Sequence, residues 1–195
     1  AFSETAIESI SIPSNATLAP FWCAQTSKLN KINLIPRNEK NLEYYDNDKF
    51  IIGKSNKNNE NFDVFVFSPR NAKMCKIPSF IKTIDGHSFS ESSVNKIIIS
   101  CGVSLINEFA FFGCKNLKTV EIEPKSELKI IEKSAFAKSV IKKISIPPHV
   151  VKIGKECFMY CSKLNYVEIP LNSELNLIEK SAFQFSSIVS LFIPS

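Results

Sequence analysis

Two glutamates are the candidates for acid–base chemistry in this sequence. Glu121 and Glu168 occupy equivalent places in a repeated pattern, two repeats apart. Side chains two strands apart in one sheet lie roughly 10 Å from each other, near the upper limit for the paired carboxylates of an inverting glycosidase. Ser145 falls between them, and no neighbouring residue distinguishes an acid from a base. Solvated strand carboxylates are therefore the favoured interpretation.

The two histidines and six cysteines give weak signals. Asp85-Gly86-His87 has the composition of a turn. Cys157, Cys161 and His149 could supply zinc ligands, but the sequence contains no Cys-x-x-Cys pair. Cys114 and Cys161 are two repeats apart, which is too far for a disulfide. We predict no metal, no cofactor and no required disulfide, and no catalytic residue.

The charge of the chain is positive but spread along its length. The net charge is +5, and lysine supplies 22 of the 24 basic residues. Only Arg37 and Arg70 offer the planar fork that suits phosphates and base edges. Lysines scattered in this way are typical of a solvated surface, so we expect no nucleic-acid partner. No apolar run approaches the roughly 18 residues of a membrane span, and no signal peptide is visible.

An internal repeat organises the sequence. The segment 126–136 recurs as 173–183, at an offset of 47 residues. Within this double repeat, phenylalanines recur at spacings of 22, 25, 22 and 25 residues, at positions 89, 111, 136, 158 and 183. Such a period is the signature of stacked coils that together bury a continuous core. With 25 Ile and 16 Phe in 195 residues, the composition favours strands over helices.

Each repeat predicts one coil of a solenoid. After Phe come a turn, an apolar anchor and apolar residues two apart, the period of a strand with one buried face. The repeat predicts eight such strands, which end at residues 12, 34, 77, 99, 122, 146, 169 and 193. Proline ends many of them, because it has no N–H to donate. A second extended segment follows, and a short helical or 3₁₀ turn would carry the next Phe inward. Cys23 stands where one Phe is expected.

The segment between Pro36 and Ile77 breaks this register. Two apolar runs, 50–53 and 62–67, enclose a polar Asn/Lys-rich loop and predict a β-hairpin that replaces or caps one coil. We therefore expect one solenoid domain over 1–195. Its predicted parts are N-terminal repeats at 1–36, an irregular hairpin-bearing repeat at 37–72 and regular repeats at 73–195. We also expect it to be a piece of a longer repeat array.

The pattern Ile-x-x-x-Ala-Phe-x-x-Cys-x-x-Leu-x-x-Val-x-Ile resembles the leucine-rich repeat of BspA-like surface proteins, the Treponema-type class. Residues 106–122 and 153–169 carry it, the second with Cys157 in place of Ala. The resemblance implies a horseshoe-like leucine-rich-repeat solenoid with parallel strands on its concave face. It also implies display at a cell surface or secretion, and roles in adhesion and protein binding.

The same alternation predicts which side chains face outward. With Val120 and Ile122 inward, Thr119 and Glu121 must point away from the core. Applied to each regular coil, the rule gives a candidate binding surface on the concave face, made of Lys96, Ile98, Thr119, Glu121, Lys143, Ser145, Tyr166, Glu168, Ser190 and Phe192. Apolar residues among charged ones mark interfaces in some proteins and are ordinary surface in others.

We expect a non-catalytic module for protein recognition or adhesion. Its partner would be a protein, such as a host-cell or extracellular-matrix protein, and this part of the chain would not insert into a membrane. Two other functions remain open. One is a β-solenoid enzyme acting on carbohydrate, which clustered carboxylates or basic residues in adjacent coils would favour. The other is a structural spacer, which a surface that binds nothing would favour.

Overall fold

The chain folds into short β-strands joined by turns. The computed structural model describes residues 2–194, and within that range no helix is long and apolar enough to cross a membrane. One strand of three to five residues lies at seven of the eight predicted main-strand positions: Ser9–Pro13 (β1), Lys31–Ile35 (β2), Met74–Lys76 (β6), Lys96–Ile99 (β8), Thr119–Ile122 (β10), Lys143–Ser145 (β12) and Tyr166–Glu168 (β14).

A second sheet runs along another side of the molecule. It has eight strands, three from the irregular segment and five of only two residues each: Leu42–Tyr45 (β3), Phe50–Gly53 (β4), Val64–Phe67 (β5), Thr83–Ile84 (β7), Leu105–Ile106 (β9), Ile130–Ile131 (β11), Lys152–Ile153 (β13) and Leu177–Ile178 (β15). The strands from β7 to β15 pair in parallel, coil upon coil. The predicted solenoid is therefore confirmed.

The main strands also pair in parallel, but in three groups. β1 pairs with β2, β6 and β10 flank β8, and β12 pairs with β14. β10 and β12 lie side by side without ladder pairing. The outer side of these seven strands is called the long-strand face below. The eighth predicted strand, at 190–193, does not form, and those residues are irregular.

A column of stacked phenylalanine rings forms the core. Phe89, Phe111, Phe136 and Phe158 are fully buried, and neighbouring rings in this series have centroids 4.9–5.4 Å apart and nearly parallel planes. Phe183 continues the stack at 5.3 Å. Phe65 of β5 extends it at the other end, 4.9 Å from Phe89. The periodic phenylalanines are thus the internal spine that the repeat predicts.

Left-handed residues hold each phenylalanine in place. The residues two before and two after Phe136, Ser134 and Lys138, have φ of 53° and 60°. The same pair of positions has positive φ around Phe89, Phe111, Phe158, Phe183 and also around Cys23. A left-handed residue interrupts a right-handed helical turn. The predicted helical or 3₁₀ segment is therefore a run of separate hydrogen-bonded turns within residues 2–194.

Small side chains three residues after the ring, or after Cys23 in its place, donate to backbone carbonyls, either of their own turn or of the turn in the neighbouring coil. The Cys114 thiol donates to the carbonyl of Phe89 at 3.0 Å, and the Cys161 thiol donates to the carbonyl of Phe136 at 3.2 Å. Thr26 stands three residues after Cys23, and its hydroxyl donates to the Cys23 carbonyl at 2.7 Å. The small residues at this position satisfy backbone carbonyls of the buried turns.

The irregular segment is a three-stranded antiparallel meander. β4 and β5 form the predicted hairpin, and β3, which the sequence reading missed, pairs with the other edge of β4. β3 and β4 are joined by a turn in which Asp46, Asn47 and Asp48 all have positive φ. The Tyr44 hydroxyl of β3 accepts from the Leu34 amide at 2.8 Å and so covers part of the free edge of β2.

The meander lies between two hydrophobic clusters and packs against both. Phe50, Ile52 and Phe65 pack into the cluster that contains the phenylalanine stack. Ile51 and Val66, on the opposite sides of the same strands, pack into a smaller cluster around Trp22 and the N-terminal coils. The two faces of β4 and β5 thus connect the irregular N-terminal coils to the regular ones.

A buried arginine joins the same two regions. The Arg70 side chain is 2% exposed. Its guanidinium donates to five backbone carbonyls at 2.9–3.4 Å, those of Cys23, Thr26, Ser68, His87 and Ser88. Within residues 2–194, no carboxylate pairs with it, and burial lowers its pKa.

The phenylalanine stack makes a prediction for stability. Phe136→Ala removes a ring packed between Phe111 and Phe158, and we expect it to lower the free energy of unfolding by about 3–5 kcal/mol. Lys129→Ala changes an exposed side chain and should cost no more than about 0.5 kcal/mol. Urea titrations measure both. Equally small losses of stability in both variants would contradict the placement of Phe136 in the buried ring stack.

The hydrogen bonds of Arg70 make a second prediction. Arg70→Met leaves five buried carbonyls without this donor, and we expect a loss of about 2–4 kcal/mol in urea unfolding. Arg37→Met is the matched control, because Arg37 is exposed and its guanidinium, within residues 2–194, donates only to the adjacent Pro36 carbonyl. A loss at Arg70 no larger than that at Arg37 would show that the guanidinium does not join the two regions.

Candidate functional site

The long-strand face presents most of the predicted surface. Thr119, Glu121, Lys143, Ser145, Tyr166 and Glu168 are exposed, and they alternate with inward residues of the same strands. Lys96 and Ile98 are half-buried. Ser190 and Phe192 are exposed but lie on irregular chain, so they do not continue the strand alternation.

Four polar members of this surface are bonded to neighbours in adjacent coils. Lys96 forms a 2.8 Å ion pair with Glu121, its diagonal neighbour on β10. The Ser145 hydroxyl donates to Glu168 at 2.5 Å. Lys143 lies beside Tyr166 in the register of β12 and β14, and Tyr166 is 54% exposed. Tyr166 is thus the large aromatic side chain that β14 offers to solvent.

The sequence reading missed two members of the same surface, Met74 and Lys76. They lie on β6, in register with Lys96 and Ile98, and Met74 is 54% exposed. Lys76 forms a 2.8 Å ion pair with Glu123, whose pKa is lowered by this contact. The alternation predicts their orientation, because a strand that ends at Ile77 places residues 74 and 76 outward.

The geometry does not assemble the enzymatic pair. Glu121 and Glu168 are both exposed. Lys96 pairs with one oxygen of Glu121, and the Ser145 hydroxyl donates to one oxygen of Glu168. Neither carboxylate lies in the apolar environment that holds a general acid protonated.

The possible zinc ligands do not come together either. Cys157 and Cys161 are fully buried, whereas His149 is exposed and contacts Glu174 at 2.8 Å. Among residues 2–194, no group of three or more His, Cys, Asp or Glu side chains is arranged to hold a metal ion.

All six cysteines are free thiols. Burial raises the pKa of Cys75 to about 12 and that of Cys114 to about 11, so these thiols are poor nucleophiles at neutral pH. Burial also raises the pKa of the Cys157 and Cys161 thiols. Cys101 is the half-buried member of the set.

An aromatic cluster lies at the turns on another edge of the coils. His87, 7% exposed, stacks on Phe109 with centroids 5.0 Å apart, and Phe21 meets its ring edge-on at 5.2 Å. Burial, and secondarily the charge of Arg70, lower the pKa of His87 to about 4. The Asp85-Gly86-His87 segment is the turn that its composition predicts, and His87 is an apolar packing element within it.

Stacked coils, each with one strand in the long-strand face and one in the second sheet, define a leucine-rich-repeat solenoid. Residues 82–195 match the family described as BspA type Leucine rich repeat region, in six copies. This match covers more than half of the chain, and the chain belongs to that family. A search of curated proteins found no match.

Solved structures share the fold. A leucine rich cell surface protein from Faecalibacterium prausnitzii is 24% identical, with a TM-score of 0.73 over 97% of this chain and 53% of that one. The leucine-rich repeat protein of T. pallidum is 20% identical, with a TM-score of 0.64 over 75% of this chain and 69% of that one.

The pneumococcal vaccine antigen PcpA is 19% identical, with a TM-score of 0.61 over 74% of this chain. This chain covers 42% of PcpA and 53% of the Faecalibacterium protein, so it corresponds to about half the length of each. At these identities the likeness establishes the fold.

The buried His87 makes a prediction for pH dependence. An unfolded histidine has a pKa near 6.5, so the unfolded state binds more protons than the folded state between pH 6.5 and about 4. Stability contributed by neutral His87 is complete above that window and decreases as the pH falls through it. We expect a loss of about 2 kcal/mol between pH 7 and pH 5, measured by urea unfolding.

The control for this prediction is His87→Phe. Phe21 and Phe109 occupy the equivalent turn position with φ of 61° and 59°, so phenylalanine fits the backbone at 87, where φ is 59°. The variant should lose this part of the pH dependence while retaining the stacking. Parallel decreases in the variant and the natural chain would assign the effect to other groups.

Proposed function

We propose that this chain is a non-catalytic protein-recognition module, displayed at a cell surface or secreted, that binds its partner through the long-strand face. The observation that carries the proposal is the row of exposed side chains across β6 to β14, which parallel pairing fixes within β6, β8 and β10 and within β12 and β14. This row places Met74 and Tyr166, each 54% exposed, among charged residues. Exposed aromatic and Met side chains surrounded by polar ones are enriched at protein interfaces.

The core beneath the face favours binding without rearrangement. Ile97, Ile144 and Val167 lie on the inner side of the same strands and are buried. Ion pairs and hydrogen bonds between coils, such as Lys96–Glu121 and Ser145–Glu168, further restrict the outer side chains. A surface ordered before binding loses less conformational entropy when its partner docks.

The family of the chain and the solved structures that share its fold support an inference about its location. The chain belongs to the BspA-type family, and solved structures that share its fold include a cell surface protein and a vaccine antigen. We infer a surface or secreted location and an adhesive role, with a host-cell or extracellular-matrix protein as the partner.

Tyr166→Ala tests this function. Surface plasmon resonance with purified extracellular-matrix and cell-surface proteins identifies the partner and measures its affinity. Tyrosine is enriched among interface hot spots, and we expect the variant to bind about 5- to 30-fold more weakly. Its urea midpoint should change little, because the side chain points away from the core. Phe192→Ala tests the irregular end of the same surface.

Lys155→Ala is the comparison variant, since Lys155 lies in a turn that leads to Phe158 rather than on the long-strand face. A partner that is insensitive to Tyr166 and Phe192 but lost on changing Lys155 would move the interface to the turn side. A chain that binds none of the proteins offered would favour the structural spacer.

A further inference from the structure

Lysines that are scattered in the sequence form a single stripe in the structure. Six of the seven segments that lead into the main strands contain ten lysines and no carboxylate: 26–31, 71–76, 92–97, 114–119, 139–143 and 161–166. The seventh, before β1, carries Glu4 and Glu8 instead and lies beyond one end of this series. Lys76 and Lys96 are used in ion pairs with Glu123 and Glu121. Eight remain, all exposed and without an ion pair among residues 2–194: Lys28, Lys31, Lys73, Lys115, Lys118, Lys142, Lys143 and Lys163.

Backbone hydrogen bonds place these segments side by side. The Asn95 amide donates to the Lys73 carbonyl at 2.8 Å, and the Lys118 amide donates to the Asn95 carbonyl at 3.0 Å. The Asn165 amide donates to the Lys142 carbonyl at 3.0 Å in the same way. Lys73, Lys118 and Lys142 therefore occupy the same place in their coils, immediately before the main strand.

The stripe continues across the two places where neighbouring main strands are not paired, between β2 and β6 and between β10 and β12. The Asn71 amide donates to the Asn30 side-chain oxygen at 2.9 Å, which joins the segment at 26–31 to the one at 71–76. The Gly113 amide donates to the Ala137 carbonyl at 2.9 Å, which joins the coils of β10 and β12. Six segments at about 5 Å per coil give a basic stripe about 25 Å long.

The charge of this stripe is separated from that of the remaining surface. The eight free lysines exceed the net charge of +5, so the rest of the chain is net negative. Glu121, Glu123 and Glu168 lie toward the other ends of the strands, where Glu121 and Glu123 pair with Lys96 and Lys76. The expectation that scattered lysines form an ordinary solvated surface is therefore revised, because the repeat gathers them along one edge.

We propose that this lysine stripe binds a linear sulfated polysaccharide. Its length and regular spacing suit an extended polyanion whose charges recur along the chain, and lysine ammonium groups on flexible stems can each follow a sulfate or carboxylate. The binding edge adjoins the long-strand face. The two surfaces share Lys31 and Lys143, the first residues of β2 and β12, and the other six stripe lysines lie outside the face.

The composition of the stripe favours this ligand over nucleic acid. The six segments contain no arginine, and Tyr166 is their one aromatic residue. Proteins that bind single strands stack the bases on several aromatic side chains, and duplex readers use arginine forks. The stripe offers charge without stacking or base-edge recognition.

The test compares two variants with the same change in net charge. One carries Lys→Gln at positions 73, 118, 142 and 163 of the stripe. The control carries Lys→Gln at 57, 125, 129 and 180, four exposed lysines elsewhere that form no ion pair within residues 2–194. Isothermal titration with heparin at several salt concentrations measures affinity and its salt dependence, and thermal unfolding confirms that both variants fold.

We expect the stripe variant to bind heparin at least about tenfold more weakly, with a shallower salt dependence, because it forms fewer contacts with the polyanion. The control variant should bind like the natural chain. Equal weakening in both variants would overturn the proposal, as would absence of heparin binding at physiological salt. Tighter binding to single-stranded DNA of matched length, or to phosphatidylserine vesicles, would overturn the assignment to polysaccharide.

The variants leave Tyr166 and Phe192 unchanged, so this result is separate from the test of protein recognition. If the stripe variant loses heparin binding but keeps its affinity for the protein partner, the stripe has a ligand of its own. Loss of both in the stripe variant would contradict the separation of the two surfaces.

Discussion

The structure depends on one local constraint, the pair of left-handed residues around each buried ring. These two positions turn the backbone sharply on either side of Phe136 and its equivalents, so that the ring points inward. The rings then stack at 4.9–5.4 Å, close to the spacing of hydrogen-bonded strands, and the same step can serve both the core and the sheets. Left-handed backbone costs energy in non-glycine residues, and the buried stack stabilises the coil enough to maintain it.

The sequence predicts the parts of the fold that repeat. The phenylalanine spacing, the apolar alternation and the family motif together identify the solenoid, its main strands and its small-residue turns. The hairpin also follows from its apolar runs. β3 does not, because Leu42–Tyr45 has no repeat partner and its place is set by pairing with β4 and by the left-handed turn at 46–48. Its assignment requires tertiary information.

The candidate surface is predictable to the same degree and for the same reason. Alternation alone places Thr119, Glu121, Lys143 and Tyr166 outward, and the strands that it requires are present. Alternation fails at Ser190 and Phe192, where the strand does not form. Arg70 is beyond sequence reasoning altogether, because its five carbonyl partners lie up to 47 residues away from it in the sequence. An arginine that reads as a possible phosphate ligand is instead a buried link between two regions.

The repeat also changes how surface charge should be interpreted in such a chain. In a fold without internal periodicity, lysines separated by twenty or more residues have no reason to meet. Here a period of 22 or 25 residues returns the backbone to the same edge, so Lys73, Lys118 and Lys142 align although no basic motif links them in sequence. The core therefore sets the spacing of the charges, since each coil's position is fixed by its buried ring. A substitution that shifted one ring would move the lysines of that coil as well as weaken the stack.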